Sequence, residues 1–351
     1  MSENKYQGII FCFLMSIPAW FLGKMFPIIG GPVFSIIIGI IVGTIMNEKK
    51  ERFQGGINFV SKKVLQYAVI LLGFGLNLQM IVKVGKASLP IIVCTIATSL
   101  IISYFLSKKM NIPQKISILV GVGSSICGGS AIAATAPVID ADSDEIAQAI
   151  SVIFFFNIIA ALIFPTIGDL IGLSNQGFAV FAGTAINDTS SVTAAASSWD
   201  SIHQTGTMVL DSATVVKLTR TLAIIPITFF LSLYYSKKES KGSRVGAYKI
   251  SKMVPSFIIY FVLCSIITTV FQSMISSGII SGGLANLIPE FFSLMKTVSK
   301  FFIVMAMGAI GLNTDIVKLI KTGGKPILLG SFCWVGIIVV SLLMQKFTGL
   351  L

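Results

Sequence analysis

Charged side chains are scarce in this sequence. Only 11% of the 351 residues are Asp, Glu, Lys or Arg, whereas ordinary soluble domains contain about 25%. Hydrophobic residues make up 54% of the chain, and the mean hydropathy is +0.91. A soluble protein of this length would lack the polar side chains needed to cover its surface. The composition therefore excludes a water-soluble globular domain and indicates a protein that lies in lipid.

The sequence also has only one histidine and no closely spaced pair of cysteines. The only histidine, His203, lies in a predicted loop, which argues against a histidine-based zinc site. The 5 cysteines are scattered, without a Cys-x-x-Cys spacing, so neither a disulfide framework nor a thiolate metal site is expected. The glycine-rich runs lack the Gly-Lys-Ser/Thr of a phosphate-binding loop. The sequence thus predicts no metal, no cofactor and no bound nucleotide.

Long apolar segments are abundant instead. A helix needs about 20 apolar residues to cross a hydrocarbon core about 30 Å thick. About eleven segments approach this length, and the breaks between them are too short for a soluble domain. We therefore predict that residues 1–351 form a single, all-α, polytopic membrane domain. The predicted spans are 8–26, 28–46, 64–82, 89–107, 116–138, 147–173, 178–198, 207–235, 253–275, 297–316 and 327–346.

The net charge of +12 comes mainly from basic residues in short loops. The main basic clusters fall on one side of the membrane if the N-terminus is cytoplasmic and the C-terminus is outside, as the positive-inside rule requires. Lys83 and Lys86 in a predicted loop at 83–88 oppose this orientation, and a half-span within 276–296 would reverse the C-terminus. The pattern indicates a multi-pass membrane protein, in contact with lipid, and not a nucleic-acid-binding protein.

Two similar segments indicate an internal repeat. Residues 73–90 read GFGLNLQMIVKVGKASLP and residues 308–326 read GAIGLNTDIVKLIKTGGKP, so Gly-Leu-Asn and a later Pro recur at one constant offset. With the predicted orientation, the copies run in opposite directions, as inverted repeats do in many secondary transporters. A simpler interpretation is that Gly and Asn end two helices. Asn77 and Asn313 become candidate residues for a coupling ion.

A cluster of glycines, closed by Pro137, weakens the predicted span 116–138. Each glycine destabilises a helix by about 1 kcal/mol relative to Ala. The hydroxyl-rich residues 186–196, INDTSSVTAAA, are similar in composition. We expect a broken helix near Gly121–Gly129 or Asn187–Ser191, with free backbone amides facing a central cavity. Tight packing of small residues between helices is the alternative.

Charged residues also occur inside an apolar span. Asp211, Thr214, Lys217 and Arg220 recur at every third position and trace a polar stripe. A charge at the centre of a span costs at least about 2.5–3.5 kcal/mol and commonly marks a binding site or pathway. Asp188 cannot neutralise both cations, so the surplus favours a bound anion, which an arginine can hold through two N–H groups. A structural ion pair with Asp188 is the alternative.

The candidate substrate-binding residues come from these three polar segments. They are Lys217, Arg220, Asp188, Asn187, Thr189, Ser190, Thr214, Ser124, Ser125, Cys127 and Ser130. Asp188 is also a candidate for binding the coupling ion.

Three motifs, SICGGSAIAATAPVI, GTAINDTSSVTAAA and ATVVKLTR, together resemble the YeiH-type family of bacterial inner-membrane proteins, whose members are often called sulfate exporters. The resemblance extends over nearly the whole chain. It implies a multi-pass protein of the cell membrane. It also implies a fold similar to those of the bile-acid symporters and cation/proton antiporters, with two inverted repeats and broken helices that cross at the centre. Sulfate and organosulfonates are the substrates that it suggests.

The predicted function is a secondary active transporter, in particular an exporter, of a small anion, coupled to an ion or proton and without enzymatic activity. An anion channel is a second hypothesis, although no ring of charges is visible. An intramembrane enzyme with a Ser–Lys pair at Lys217 is a third. The Gly39-x-x-x-Gly43 face indicates helix pairing, either within one chain or in a homodimer.

Overall fold

The computed structural model of the protein describes residues 2–26, 31–46, 51–238, 256–314 and 324–350. Within these ranges, all regular secondary structure is helical. The α-helices, in chain order, are α1 (Ser2–Met25), α2 (Gly31–Met46), α3 (Gln54–Phe59), α4 (Leu65–Leu72), α5 (Leu78–Met110), α6 (Gln114–Ser125), α7 (Gly129–Thr135), α8 (Ser143–Leu170), α9 (Asn175–Ala185), α10 (Thr189–His203), α11 (Met208–Thr221), α12 (Ile224–Lys238), α13 (Ser256–Ser276), α14 (Gly283–Asn313) and α15 (Gly324–Thr348). A π-helical turn, Val60–Val64, joins α3 to α4.

Seven helical segments in the described ranges are long and apolar enough to cross a membrane. They lie in α1, α5, α8, the α11–α12 pair, α13, α14 and α15. The other four predicted spans are shorter or interrupted: α2 has 16 residues, and breaks divide 64–82, 116–138 and 178–198. The chain is therefore a multi-pass helical membrane protein, while the number of eleven crossings remains a prediction.

Two segments expected to connect spans are helical instead. The predicted loop 83–88 lies inside α5, a helix of 33 residues. Helix α14 begins at Gly283 and has 31 residues, so most of 276–296 extends one long helix and forms no separate half-span. Both helices exceed the length of about 20 residues that a crossing requires. Basic side chains such as Lys83 can therefore occupy the polar end of a helix without breaking it.

The two Gly-Leu-Asn segments adopt different local structures. Leu76 is extended, with φ −120° and ψ 136°, and Asn77 Oδ1 accepts from Met80 N at 2.8 Å, so Asn77 caps α5. In the second copy, Leu312 and Asn313 belong to the last turn of α14. Residues 315–323 of this copy lie outside the described residues, and the two-fold relation remains a prediction.

The chain forms two compact units. Unit 1 contains Met1–Val84, Thr193–Thr214 and Ser256–Asp315, and unit 2 contains Gly85–Val192, Val215–Pro255 and Ile316–Leu351.

Helices α2 and α14 pack closely in unit 1 because they meet at glycines. An added Cβ at Gly39 would overlap Gly308 O, and one at Gly43 would lie 2.7 Å from Leu312 O. The small-residue face predicted at Gly39 and Gly43 thus packs against a helix of its own chain.

An apolar core in unit 2 surrounds α6. Leu119 from α6, Ile153 from α8 and Leu329 from α15 are buried together. Gly330 lets α15 approach α8, since an added Cβ there would overlap Val152 and lie 3.1 Å from the Phe156 ring. This core fixes α6 and α8, the helices that position the polar residues described next.

Candidate functional site

The first helix break of unit 2 lies between α6 and α7, at residues 126–128. Ile126 has φ −120° and ψ −89°, and Gly128 has φ 68° and ψ −126°, a conformation that favours glycine. An added Cβ at Gly128 would lie 3.6 Å from Asn157 Nδ2 and 3.7 Å from Asp188 Cβ. The break predicted near Gly121–Gly129 is confirmed, and it lies beside the segment that contains Asp188.

That segment is the second interruption, between α9 and α10. Ile186 is extended, with φ −92° and ψ 135°. Asn157 Oδ1 accepts from Asn187 N at 3.0 Å and from Asp188 N at 3.2 Å. Asp188 Oδ2 accepts from Ser190 N at 3.0 Å and from the Ser190 hydroxyl, so it caps the start of α10. The break is confirmed, but the amides of Asn187 and Asp188 are bound by a side chain rather than free.

Arg220, on α11, links the ends of the two helices that stop at these breaks. Its Nε donates to Ser125 O at 2.7 Å and its Nη2 to Ser124 O at 2.6 Å. Its Nη1 donates to Thr184 O at 2.7 Å and to Ile186 O at 3.2 Å. One guanidinium therefore contacts carbonyls at the end of α6 and at the end of α9.

Lys217 lies one turn earlier on α11 and makes the same kind of link. Its Nζ donates to Ile126 O at 2.7 Å and to Ile186 O at 3.1 Å. Both interruptions are thus held by the two cations, and most of the N–H groups of these cations are engaged by the backbone.

The chemistry of helix ends explains this arrangement. The last carbonyls of a helix lack an intrahelical partner, and together they carry about half a negative charge. Lys217 and Arg220 are both 0% exposed, and a buried cation without partners would be strongly destabilising. Each hydrogen bond to a charged group contributes about 1.5–3 kcal/mol. The broken helices and the buried cations therefore stabilise one another.

The two breaks, at residues 126–128 and 186–188, together with Lys217 and Arg220 are called the crossing, and a positive surplus remains there. Among the described residues, no carboxylate lies within 4.0 Å of Lys217 or Arg220. Asp188 interacts electrostatically with Lys217 at longer range, and it bonds to Ser190. Two cations and one carboxylate give a net charge of about +1 before the partial charges of the helix ends are included.

Three buried polar atoms beside the breaks have no hydrogen-bond partner in the described structure. They are Ser124 Oγ, Asn157 Nδ2 and Asn187 Oδ1. Buried polar groups are nearly always paired, so unpaired ones call for an explanation such as a solute or water. Asp188 and Thr189 are half-buried, which identifies this side of the breaks as the more accessible one.

The other predicted substrate residues are less closely grouped. The Ser125 hydroxyl donates to Val122 O at 3.0 Å, within its own helix. Cys127 is buried in an apolar cluster, and Ser130 is exposed. Thr214 belongs to unit 1, where its hydroxyl donates to Leu210 O at 2.6 Å. In the described structure, the hydroxyls of Ser125 and Thr214 thus bond to carbonyls of their own helices rather than to the unpaired atoms.

The three residues predicted to bind a coupling ion belong to different units. Asp188 lies at the crossing in unit 2, whereas Asn77 and Asn313 belong to unit 1. Asn313 bonds to Gln54 at 2.7 Å and to Asn58 at 3.1 Å on the exposed surface. Asn157 was not among the predicted site residues, although an asparagine inside the apolar run 147–173 indicates a polar contact.

The chain matches one known protein family. A family model described as Conserved hypothetical protein 698 matches residues 7–330. The chain belongs to this family. It is the YeiH-type family of UPF0324 membrane proteins, so the resemblance inferred from the three motifs is confirmed.

Relatives match the chain along nearly its full length. The UPF0324 membrane protein of Fusobacterium nucleatum subsp. nucleatum is 65% identical over 348 residues, which cover 99% of each chain. Those of Streptococcus mutans and Streptococcus agalactiae serotype V are 57% and 58% identical, and cover 99% of this chain and 98% of the relative. Each is named as a membrane protein, in agreement with the several apolar helices.

Proposed function

We propose that this chain is a secondary active transporter of the cell membrane that exports a small anion, such as sulfate or an organosulfonate, by alternating access driven by an ion or proton gradient. The observation that carries the proposal is the pair of fully buried cations between two interrupted helices, with one nearby carboxylate. A cytoplasmic N-terminus, inferred from the basic loops, belongs to the same proposal.

The substrate site that we propose is the crossing itself. An anion that leaves water needs new hydrogen-bond donors and a compensating charge. Lys217 and Arg220 supply the charge, while their N–H groups mainly hold backbone carbonyls. The Ser124 hydroxyl and the Asn157 Nδ2 group are unpaired in the described structure. They are the donors that we propose for direct contact with the anion.

Flux measurements with the purified protein in liposomes test this function. We expect uptake of radiolabelled sulfate or of a simple alkanesulfonate to respond to a pH gradient and to show counterflow against trapped unlabelled anion. Flux that follows only the membrane potential, without counterflow, would indicate a channel. Chemical conversion of the anion would indicate an enzyme, and a lack of flux for every anion tested would contradict the proposal.

A matched pair of substitutions locates the site. Asn157→Asp keeps an oxygen that can accept from the amides of Asn187 and Asp188, but it removes the donor and cancels the positive surplus. We expect folded protein with anion affinity lowered at least tenfold. Asn58→Asp makes the same change at an exposed asparagine whose Oδ1 also acts as an acceptor, and it should leave affinity unchanged. Equal affinities for the two variants would place the site elsewhere.

A further inference from the structure

A second polar cluster lies in unit 1, where the end of α10 meets the start of α11. Asp200 is 4% exposed. Its Oδ2 accepts from Leu210 N at 2.9 Å, and its Oδ1 accepts from Val209 N at 3.1 Å and from the Thr205 hydroxyl. Both oxygens of Asp200 are therefore engaged, and the carboxylate acts as a cap for the first amides of α11.

Asp211 lies next to this cap, and only one of its oxygens is engaged. Its Oδ2 accepts from the Thr207 hydroxyl at 3.0 Å and lies 3.6 Å from Lys296 Nζ. Its Oδ1 is buried and has no hydrogen-bond partner in the described structure. An ionised carboxylate has about four acceptor positions, so a buried oxygen without any donor is unusual.

Helix α14 supplies the opposing charges. Lys296 Nζ donates to the Thr207 hydroxyl at 3.3 Å, and Lys300 Nζ, one turn later, donates to Gly206 O at 2.7 Å. The charged groups that interact with Asp211 are Asp200 from α10 and the two lysines from α14. Two carboxylates and two ammonium groups balance, so the cluster carries no surplus charge while Asp211 is ionised.

We propose that Asp211 is a proton-binding site, with Oδ1 as the atom that receives the proton and Lys296 as the exchangeable counter-ion. A proton on Oδ1 neutralises the carboxylate and leaves Lys296 without its partner. The Lys296 side chain is 28% exposed, so its ammonium can move towards water when the attraction is lost. When Lys296 returns, the carboxylate is stabilised and the proton leaves.

This cluster suits proton binding better than the crossing in unit 2. Asp188 Oδ2 accepts two hydrogen bonds from Ser190 and caps α10, whereas Asp211 Oδ1 has no donor in the described structure. Asn77 and Asn313 have neutral amide side chains, which do not bind a proton as a carboxylate does. The proposed role in coupling rests on the transport function proposed above, whereas the binding of a proton by Asp211 does not.

Infrared difference spectroscopy of the full-length protein tests proton binding without any transport. Spectra taken in acidic and alkaline buffer should contain the C=O band of a buried carboxylic acid. We expect this band to vanish in Asp211→Asn and to persist in Asp200→Asn and in the exposed control Asp144→Asn. A band that survives in Asp211→Asn, or that is missing from the parental protein, would overturn the proposal.

A second variant covers the case in which Asp211→Asn does not fold. Lys296→Met removes the positive charge closest to Asp211 and so disfavours the carboxylate. The carboxylic acid band should then persist into more alkaline buffer than in the parental protein. An unchanged titration of the band in Lys296→Met would show that the proton binds elsewhere.

The coupling role is tested in liposomes. Asp211→Asn should keep anion counterflow and lose the response to a pH gradient, because the neutral amide carries no proton. A pH response equal to that of the parental protein would show that Asp211 is not the coupling site. If the parental protein itself shows no flux, the transport function fails, while the infrared result still decides whether Asp211 binds a proton.

Discussion

In unit 2, the buried cations Lys217 and Arg220 are held by backbone carbonyls, whereas in unit 1 Lys296 and Lys300 lie beside two carboxylates. Carbonyls at helix ends are fixed dipoles that neither gain nor lose a proton. They hold the two cations without supplying a full negative charge, so unit 2 keeps a positive surplus. The unit 1 charges balance only while Asp211 is ionised, so a proton on Asp211 changes the net charge of that cluster.

Loss of Arg220 should produce the largest effect on stability. Arg220→Ala removes four hydrogen bonds to carbonyls at both breaks and leaves those carbonyls buried. Each buried carbonyl left without a donor costs about 1–3 kcal/mol. We expect much less folded protein and a strongly lowered Tm in detergent, with a smaller loss for Arg220→Lys, which keeps the charge.

The matched control is Lys108→Ala, which removes an exposed lysine of unit 2 that bonds to Tyr104. Its Tm should stay close to that of the parental protein. If Arg220→Ala were as stable as Lys108→Ala, the carbonyl contacts would not hold the crossing together, and the contrast between the two units would disappear.

The two carboxylates of unit 1 should respond differently to the same substitution. Asp200→Asn weakens hydrogen bonds from two backbone amides and a hydroxyl, and we expect a loss of about 1.5–3 kcal/mol. Asp211→Asn keeps an acceptor for Thr207 and loses the ion pair with Lys296, whose side chain is 28% exposed, so we expect a smaller loss than for Asp200→Asn. Thermal unfolding of the two variants should separate them, and equal losses would show that Asp211 is as structural as Asp200.

Gly128→Ala, at the first break, should lower the Tm by less than Arg220→Ala, and Gly172→Ala is its control. Gly128→Ala combines a positive φ with a Cβ that would lie 3.2 Å from Ile153 Cγ2, whereas Gly172, with φ 72°, has nothing within 4 Å of an added Cβ. A positive φ strains alanine at both sites, by about 1–3 kcal/mol, and Gly128 adds ψ −126° and the close contact with Ile153. The Tm should therefore fall further for Gly128→Ala than for Gly172→Ala, and identical Tm values would mean that neither the backbone nor the space at Gly128 is restricted.

The breaks and the buried cations of unit 2 could be predicted because their signals are local. Glycines in an apolar run and charges inside a span stand out without any knowledge of neighbours. What the cations bind could not be predicted in the same way. The acceptors are main-chain carbonyls, which every residue has, and only the exact position of each break determines which of them lack a helical partner.

The cluster in unit 1 was harder to predict because its members are distant in sequence. Asp211 was identified as part of a stripe with Lys217 and Arg220, but its charged neighbour is Lys296 on α14. Nothing in the spacing of Lys296 and Lys300 indicates α11 as their partner. Asn157 presents the same difficulty, since the amides that it binds become free only when α9 ends at Ala185.

Ser124→Ala should have the smallest effect on stability and a clear effect on anion binding. The Ser124 hydroxyl is buried and unpaired, so Ser124→Ala loses no bond within the protein, and its Tm should change little. Ser117, on the same helix, donates to Ser103 O at 3.0 Å, so Ser117→Ala should lower the Tm. A hydrogen bond to a charged partner contributes about 1.5–3 kcal/mol, equivalent to roughly tenfold or more in Kd. Titration calorimetry with sulfate should therefore show weaker binding in Ser124→Ala and parental binding in Ser117→Ala. The opposite pattern would remove Ser124 from the anion site and leave its hydroxyl without a role at the crossing.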